Sequence, residues 1–516
     1  MPIERGQPDA FLEDAAHYPG GHASGVVFPR SISDIADALR SAPAVLPIGA
    51  QSSLTGGATP MGELLIATSK MTRVVDRSSD RITVEAGLTV AAMQELLATT
   101  GAWFPPSPTF TGACAGGIVS TNAAGAATFK YGSTREWVDG LVVVLADGTI
   151  LELKRGDRHA HDGAIEVRTA TGRISIPVPR YAMPDVVKHS AGYYAASGMD
   201  LIDLFIGAEG TLGVIAQVTF RILSPVPQSA LALIPCRSED QAIELAMVLR
   251  NASVETRRTQ DAAGIDAAAI ENLDARSIAI LREDGADERN DVSFPADSAV
   301  ALLVQLELPS DISAASAYDQ IGGALAAGSI DSALVRFCRM LAERDLLDAT
   351  ELALPGDRHR AEQLIAIREA VPAGVNRRVG IAKRDIHAQI AKTAADMVVP
   401  FERFAEMMKV YRGGFETRGL DYAIWGHISD GNVHPNVVPR SYADVERGKE
   451  AILEFGRAAA RLGGCPLAEH GVGRNPVKQQ LLRQLYGDEG VDDMRAVKHA
   501  LDPGWKLAPG VIFDAS

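Results

Sequence analysis

Cysteine is scarce: the 516 residues hold four, Cys114, Cys236, Cys338 and Cys465, far apart and never as CxxC. That excludes a disulfide-stapled scaffold and a thiolate metal site, and points to a reducing compartment. Positive charge is also short, with 50 Lys and Arg against 65 Asp and Glu and a net charge of −15. A general nucleic-acid binder needs basic surface to displace counterions, and a polybasic membrane anchor needs it too, so both classes fall away. No apolar run is long enough to span a bilayer. Residues 1–6 carry two charged side chains and no apolar segment, so no signal peptide is expected. A GxGxxG turn opening a helix is missing, as is a phosphate-loop GK[ST], so no tightly bound nicotinamide is expected. Repeats and low-complexity tracts are missing too. What is present is ordinary for a folded chain: 47% hydrophobic and 22% charged residues. A chain this long buries a large core without staples. The class that remains is a soluble acidic enzyme, expected in the cytoplasm with at most peripheral membrane contact.

Local patterns give an α+β chain in two lobes. Residues 1–226 are rich in glycine and short β-type runs, at 26–29, 45–48, 64–67, 82–86, 140–146, 150–153 and 214–223. Ser33 reads as the N-cap of a first helix, and 90–100 as a helix stopped by Gly101. Residues 227–465 alternate strands (230–234, 300–306) with helices (240–250, 318–326, 402–412). A helix over 358–371 should end near Pro372, and the charge-dense stretch 282–291 reads as a surface loop. Residues 466–516 return to helix and then a Gly/Pro-rich tail.

Two stretches of the first lobe suit a large anionic ligand. Residues 49–57 join two strands and hold Gly49, Ala50, Gln51, Ser52, Ser53 and Thr55. Consecutive backbone N–H groups in such a loop cradle phosphate, and the hydroxyls add donors. Small residues then dominate Pro105-Pro106-Ser107-Pro108, Ala115-Gly116-Gly117, Thr121-Asn122-Ala123-Ala124-Gly125 and Lys130-Tyr131-Gly132, letting backbone approach a flat ligand closely. Tight packing of two sheets is the plainer reading of the same pattern. In this order, followed by VVVLADG at 142–148 and FIGAEGTLG at 205–213, the segments resemble the flavin-binding (PCMH-type) domain of the vanillyl-alcohol oxidase superfamily over residues 24–225. The resemblance implies FAD, with its pyrophosphate over residues 49–55. Gly116, Gly117, Thr121 and Asn122 would lie along the dinucleotide and Ile215 near the adenine. It also brings Pro47, Pro106, Ser107, Gly125, Tyr131, Glu209, Gly210 and Gly213 to the cofactor site. The first loop has no His or Cys where covalent members attach flavin, so noncovalent FAD is expected.

The second lobe carries YAIWGHISDGNVHPNVV at 422–438. Asp430-Gly431 is a type I′ turn signal between apolar runs. A two-residue turn there puts His427 opposite His434 on one face, with Cβ atoms about 4.5–5.5 Å apart, close enough to grip one metal ion. In AEHGVG at 468–473, neighbours on an extended segment point to opposite faces, so Glu469 could complete a His-His-Glu site while His470 faces elsewhere. Three ligands and an open position make a catalytic arrangement. Isolated His pairs are more often core or surface residues, but here they sit in two Gly-flanked motifs.

GHISDGNVH and AEHGVG resemble the C-terminal half of FAD-linked D-2-hydroxyacid dehydrogenases, the group holding D-lactate, glycolate and D-2-hydroxyglutarate enzymes. The resemblance implies a divalent ion on His427, His434 and Glu469. Zinc is the first choice, and manganese or iron(II) also fit two imidazoles and a carboxylate. It makes His470 the catalytic base and Arg368 the anchor of the substrate carboxylate. The chain departs from the family pattern in three places. Ala508 stands where Asn is frequent. Pro372 replaces a hydroxyl residue. Val399-Pro400 follows Lys383-Arg384-Asp385 late, so either an insertion separates them or Lys383 is not the family lysine. The implied reaction is oxidation of a D-2-hydroxyacid to the 2-oxoacid, with the metal activating the substrate hydroxyl. Electrons would pass from flavin to a quinone, a cytochrome, an electron-transfer flavoprotein or oxygen. The alternatives are a flavin-dependent oxidase of another alcohol or a transferase resembling alkylglycerone-phosphate synthase. The transferase would draw on Arg377, Arg378, Lys383 and Arg384 as a phosphate cluster.

Overall fold

Ser31, two residues before the expected cap, starts the first helix. Its hydroxyl accepts the Asp34 N–H and the Asp34 carboxylate accepts the Ser31 N–H, a reciprocal box that fixes helix Ile32–Ser41. The computed structural model in which this is seen describes residues 4–106, 110–169, 172–326 and 328–514. The chain divides into two compact units, one of Met1–Gly125, Gly132–Ser224 and Gly463–Ser516, the other of Ala126–Tyr131 and Pro225–Leu462. Residues 126–131, placed in the first lobe by sequence, therefore group with the second.

The first unit holds a four-stranded sheet in the order Glu4–Gly6, Gly25–Phe28, Leu64–Ala67, Val45–Ile48. The last three strands are parallel, joined by crossovers that include Ile32–Ser41. A five-stranded antiparallel sheet follows, in the order Val74–Arg77, Arg81–Glu85, Val214–Arg221, Val138–Val144, Ile150–Lys154. Val27, Ile35, Leu39, Val45, Ile66, Val144, Val214 and Leu507 bury together between them. The C-terminal tail is part of this core: the Ala508 N–H bonds the Val45 carbonyl. Ala508 sits at φ +41°, a left-handed backbone that Asn tolerates better than Ala, which gives a conformational reason for Asn being frequent there.

The second unit is built on a seven-stranded antiparallel sheet. Its order is Glu351–Ala353, Gln228–Cys236, Val300–Leu308, Ala267–Asp274, Tyr422–His427, Asn432–Val437, Met397–Val398. Two expectations fail here for stated reasons. The helix from Arg358 does not stop at Pro372 but runs to Asp385. Leu364, Ile367, Val371, Val375 and Val379 continue one buried stripe across the proline. Burying such side chains is worth about 1.5–3 kcal/mol each, which outweighs the ~3 kcal/mol cost of an internal proline. The stretch 282–291 is not a loop. Helices Ala275–Glu283 and Ala286–Arg289 occupy most of it, with Ile278, Ile280, Leu281 and Ala286 buried. Their charges pair outward, Arg276 with Glu283 and Arg378 with Asp284.

Among the described residues the four cysteines are buried and none is in a disulfide. No helix among them is long and apolar enough to cross a membrane.

Candidate functional site

In the first unit, loop 49–57 is tied in place by its own polar groups. Gln51 holds φ +50°, and its amide donates to the carbonyls of Phe11 and Ala58. Ser53 Oγ lies 3.1 Å from Thr55 Oγ1 and accepts the Thr55 N–H. The loop walls an open cleft whose empty space, counted out through its mouth, is about 1380 Å³. Of the residues expected on the cofactor, Pro47, Gly49, Ala50, Gln51, Ser52, Ser53, Gly116, Gly117, Thr121, Glu209, Gly210, Gly213 and Ile215 line it.

Others do not, and each has a different job. Thr55 is buried behind the loop, its carbonyl taking the Arg474 N–H. Asn122 is a brace: its side-chain oxygen accepts the Ser133 hydroxyl and the Arg135 N–H, each at 3.0 Å. The Tyr131 hydroxyl donates to Glu307 at 2.6 Å within the second unit, where Lys130 also pairs with Asp266. Pro106 and Gly125 are likewise absent from the lining. Ser107 lies outside the described residues.

The cavity wall tests whether a flat dinucleotide fits. A Cβ on Gly116 would strike Ala86 Cβ at 2.8 Å, so that glycine serves packing. A Cβ on the next residue, Gly117, would meet nothing within 4 Å. It would project into the cradle, which is the expected mark of a glycine kept small for a ligand. Cys114 and Phe110, missed in the sequence, also line the cavity, as do Glu469 and His470. Burial raises the Cys114 thiol, partly offset by the Ala50 N–H.

The loop carrying His470 is held from below. Glu209, at φ +49°, accepts the N–H groups of Val472 and Gly473 at 2.7 and 2.8 Å, one on each carboxylate oxygen. Burial pushes its carboxyl up to about 7 against the lowering effect of those two bonds. Glu469, 8% exposed, pairs with the fully buried ammonium of Lys188. Lys188 went unread in the sequence, although a lysine inside a run that packs is itself a signal.

In the second unit the histidine hairpin differs in register from the expected one. Residues Ile428–Asp430 form a short 3-10 turn closed by Gly431 at φ +78°. His427 therefore pairs with Asn432, and His434 with Trp425. The two histidines are diagonal and not opposite, but the offset of two keeps them on one face. Their rings stand perpendicular with centroids 5.4 Å apart. Gly431 is obligatory: a Cβ there would fall 2.1 Å from the Val399 carbonyl oxygen.

Both rings face carboxylates. Asp396 Oδ1 lies 3.6 Å from His434 Nδ1. Glu271 bonds His427 Nδ1 through one oxygen and Arg368 Nε, at 2.8 Å, through the other. Burial opposes ionisation of Glu271, but the charges and hydrogen bonds of His427 and Arg368 outweigh it and hold the carboxyl well below its usual range. With Nδ1 engaged by Glu271, an ion held by His427 would have to bind at Nε2. The imidazole and carboxylate donors here fit a borderline divalent ion. Neither Glu271 nor Asp396 stands out as a site residue in the sequence.

Comparisons with known proteins agree with this chemistry. The family described as FAD linked oxidases, C-terminal domain, matches residues 248–512, and the FAD binding domain family matches residues 23–154. The chain belongs to the FAD-linked oxidases. It is thus an FAD-linked oxidoreductase, with a PCMH-type FAD-binding domain and a C-terminal oxidase domain. Among curated relatives, D-2-hydroxyglutarate dehydrogenase of Xanthomonas citri pv. viticola is 26% identical, covering 95% of this chain and 89% of the relative. Glycolate oxidase subunit GlcD of Bacillus subtilis is 26% identical over 91% of this chain and 83% of its own. D-lactate dehydrogenase of Archaeoglobus fulgidus is 26% identical, over 90% and 84%. The structure of 4-ethylphenol oxidase from Gulosibacter chungangensis, an isoeugenol complex, matches with TM-score 0.62 at 16% identity over 98% of this chain and 91% of that chain. An alkyldihydroxyacetonephosphate synthase structure matches with TM-score 0.57 at 15% identity, over 94% and 76%. Both likenesses concern the fold.

Proposed function

We propose that this FAD-linked oxidase oxidises a D-2-hydroxyacid to the 2-oxoacid and passes electrons to an acceptor other than NAD. The observation that carries the reading is His470, which lines the dinucleotide cavity on a loop locked by Glu209. FAD, when bound, accepts the electron pair that leaves with the hydrogen on the substrate Cα. His470 takes the proton of the substrate hydroxyl, a role suited to an imidazole near neutral pH. Arg368 meets the substrate carboxylate with the guanidinium edge away from Glu271. A divalent ion on His427, His434 and Glu469 would supply Lewis-acid lowering of the hydroxyl pKa. Lys188 holds the Glu469 carboxylate in place through its ion pair. The buried thiol of Cys114 is raised, which supports noncovalent FAD.

The transferase reading loses its main support. Of its four cations, Arg377 pairs with Asp284, Arg378 with Glu283 and Asp284, and Arg384 with Asp385, so three of the four charges are already engaged. The test is anaerobic mixing of the purified flavoprotein with a panel of D-2-hydroxyacids. Bleaching of the flavin with 2-oxoacid formation, reversed by an artificial dye, is expected. No bleaching by any D-2-hydroxyacid would refute it.

A further inference from the structure

Glu271 sits inside strand Ala267–Asp274, where every residue up to Leu273 is buried. A lone carboxylate there would be costly to desolvate, so its partners carry information. They come from two directions. His427 is its direct cross-strand neighbour in the sheet, and Arg368 reaches it from helix Arg358–Asp385. The carboxylate divides its oxygens, Oε1 to His427 Nδ1 and Oε2 to Arg368 Nε. His427 and Glu271 side chains are 1% and 5% exposed, and that of Arg368 is 12% exposed, so water competes little for these bonds.

We infer that Glu271 is a positioning residue that couples metal binding to substrate binding, orienting the His427 ring with one oxygen and the Arg368 guanidinium with the other. The inference rests on the function proposed above. An imidazole whose Nδ1–H donates to a carboxylate is fixed in tautomer and in ring angle, and only its Nε2 lone pair is available to an ion. A guanidinium pinned at Nε has its plane set, which bidentate binding of a second carboxylate requires. One acid serves both, so loosening either partner frees the other. A glutamine could accept from only one of the two donors and would set its own N–H₂ against the second.

The test uses the FAD holoenzyme with Glu271→Gln and, as a charge-retaining second variant, Glu271→Asp. Metal-free protein is titrated with zinc in a calorimeter, and KM and kcat for the hydroxyacid are then measured at saturating zinc. Zinc affinity should fall by about 10–100-fold. At saturating zinc kcat should recover while KM stays raised about tenfold or more. In an Arg368→Lys background, Glu271→Gln should add little further to KM. A purely structural acid would give no such split. Zinc affinity or KM within twofold of wild type in either variant, or KM effects that simply add, would overturn the inference. If Glu271→Gln is too unstable to purify, Glu271→Asp must show both losses. Failure of the underlying function would read differently: wild-type holoenzyme would itself take up no zinc and turn over no hydroxyacid.

Discussion

Adjacent glycines on the short helix Ala115–Ser120 should respond in opposite ways to the same methyl group. At Gly117 the added Cβ meets nothing within 4 Å, and at Gly116 it lands 2.8 Å from Ala86 Cβ. Replacing a helical glycine with alanine, where space allows, stabilises by roughly 0.5–1 kcal/mol. Gly117→Ala should therefore raise the melting temperature of the flavin-free protein by about 1–3 °C. Gly116→Ala overpacks the wall and should cost about 1–3 kcal/mol with or without flavin. The methyl at 117, and more so the two in Gly117→Val, occupies the cradle that the dinucleotide would fill. A penalty of about 1–3 kcal/mol weakens FAD binding roughly 5–150-fold, at tenfold per 1.4 kcal/mol. The assay is paired: differential scanning of the apoprotein, and quenching of flavin fluorescence on titration. Apoprotein at least as stable as wild type with weakened FAD is expected for both 117 variants. If Gly117→Val binds FAD with wild-type affinity, no ligand lies over this helix and the cofactor argument from the cavity wall is wrong.

Other outcomes follow from the same contacts. A chelator should abolish turnover reversibly without releasing flavin, and metal affinity should weaken at acid pH as the imidazoles protonate; full activity after dialysis to zero metal content would oppose this. His470→Ala should retain metal and flavin yet lose most turnover, whereas His434→Ala and Glu469→Ala should lose metal, as elemental analysis would report. Burial, followed by the charge of Arg135, pushes His189 down from its ordinary 6.5 to about 4. The unfolded chain takes up that proton first, so stability fully present above pH 6.5 drains away as pH falls toward 4. The loss is about 2–3 kcal/mol; denaturant titrations at pH 7 and 4.5 should show it shrink in His189→Gln, and an unchanged slope would count against it. Pro372→Ala should stabilise the second unit by about 1–3 kcal/mol by restoring a helical N–H. Because residue 368 lies one turn earlier, KM for the hydroxyacid should shift as well, in contrast to a distant helix substitution.

What was legible in the sequence was local chemistry. Loop 49–57 and the segment around Glu209 and Gly210 announce themselves because tight turns need left-handed backbone, and Gly56 and Gly210 hold φ +76° and +75°. The end of helix Val90–Ala98 ahead of Gly101 is readable for the same reason, whereas the cap of the first helix lies two residues before the one expected. What failed depended on distant partners. Asp430-Gly431 alone predicts a two-residue turn, whereas Ile428–Asp430 form a 3-10 turn closed by Gly431. The Val399 backbone crowding Gly431, 32 positions away, shows how much of that turn is set from elsewhere. Tyr131 was read with the glycine motifs beside it, but its hydroxyl answers to Glu307, separated by 176 residues. Pro372 reads as a stop on propensity alone, and the buried stripe that continues past it is set by packing partners elsewhere in the chain. Glu271 was invisible as a functional residue because its meaning lies in a strand pairing 156 residues away.

The loop bearing Glu469 and His470 shows how such distant partners make a site rigid. It has no regular secondary structure of its own, yet it is fixed at nearly every residue. The Leu467 carbonyl accepts the Ser190 N–H, Glu469 meets Lys188, and the N–H groups of 472 and 473 go to Glu209. Gly471 and Gly473 hold φ +75° and +58°. A Cβ at 471 would fall 2.9 Å from the Glu209 carboxylate, and one at 473 would fall 2.2 Å from Thr55 Oγ1. These glycines let the backbone come close enough for Glu209 to hold it. A base must lie within a few tenths of an ångström of its proton to act, and a free loop pays for that precision in entropy at every turnover. Here the ordering is done on folding, by the Glu209 carboxylate, the Lys188 ammonium and two glycines. Substitution of Gly471 should therefore damage the position of His470 as badly as removing Glu209, although neither residue carries the proton.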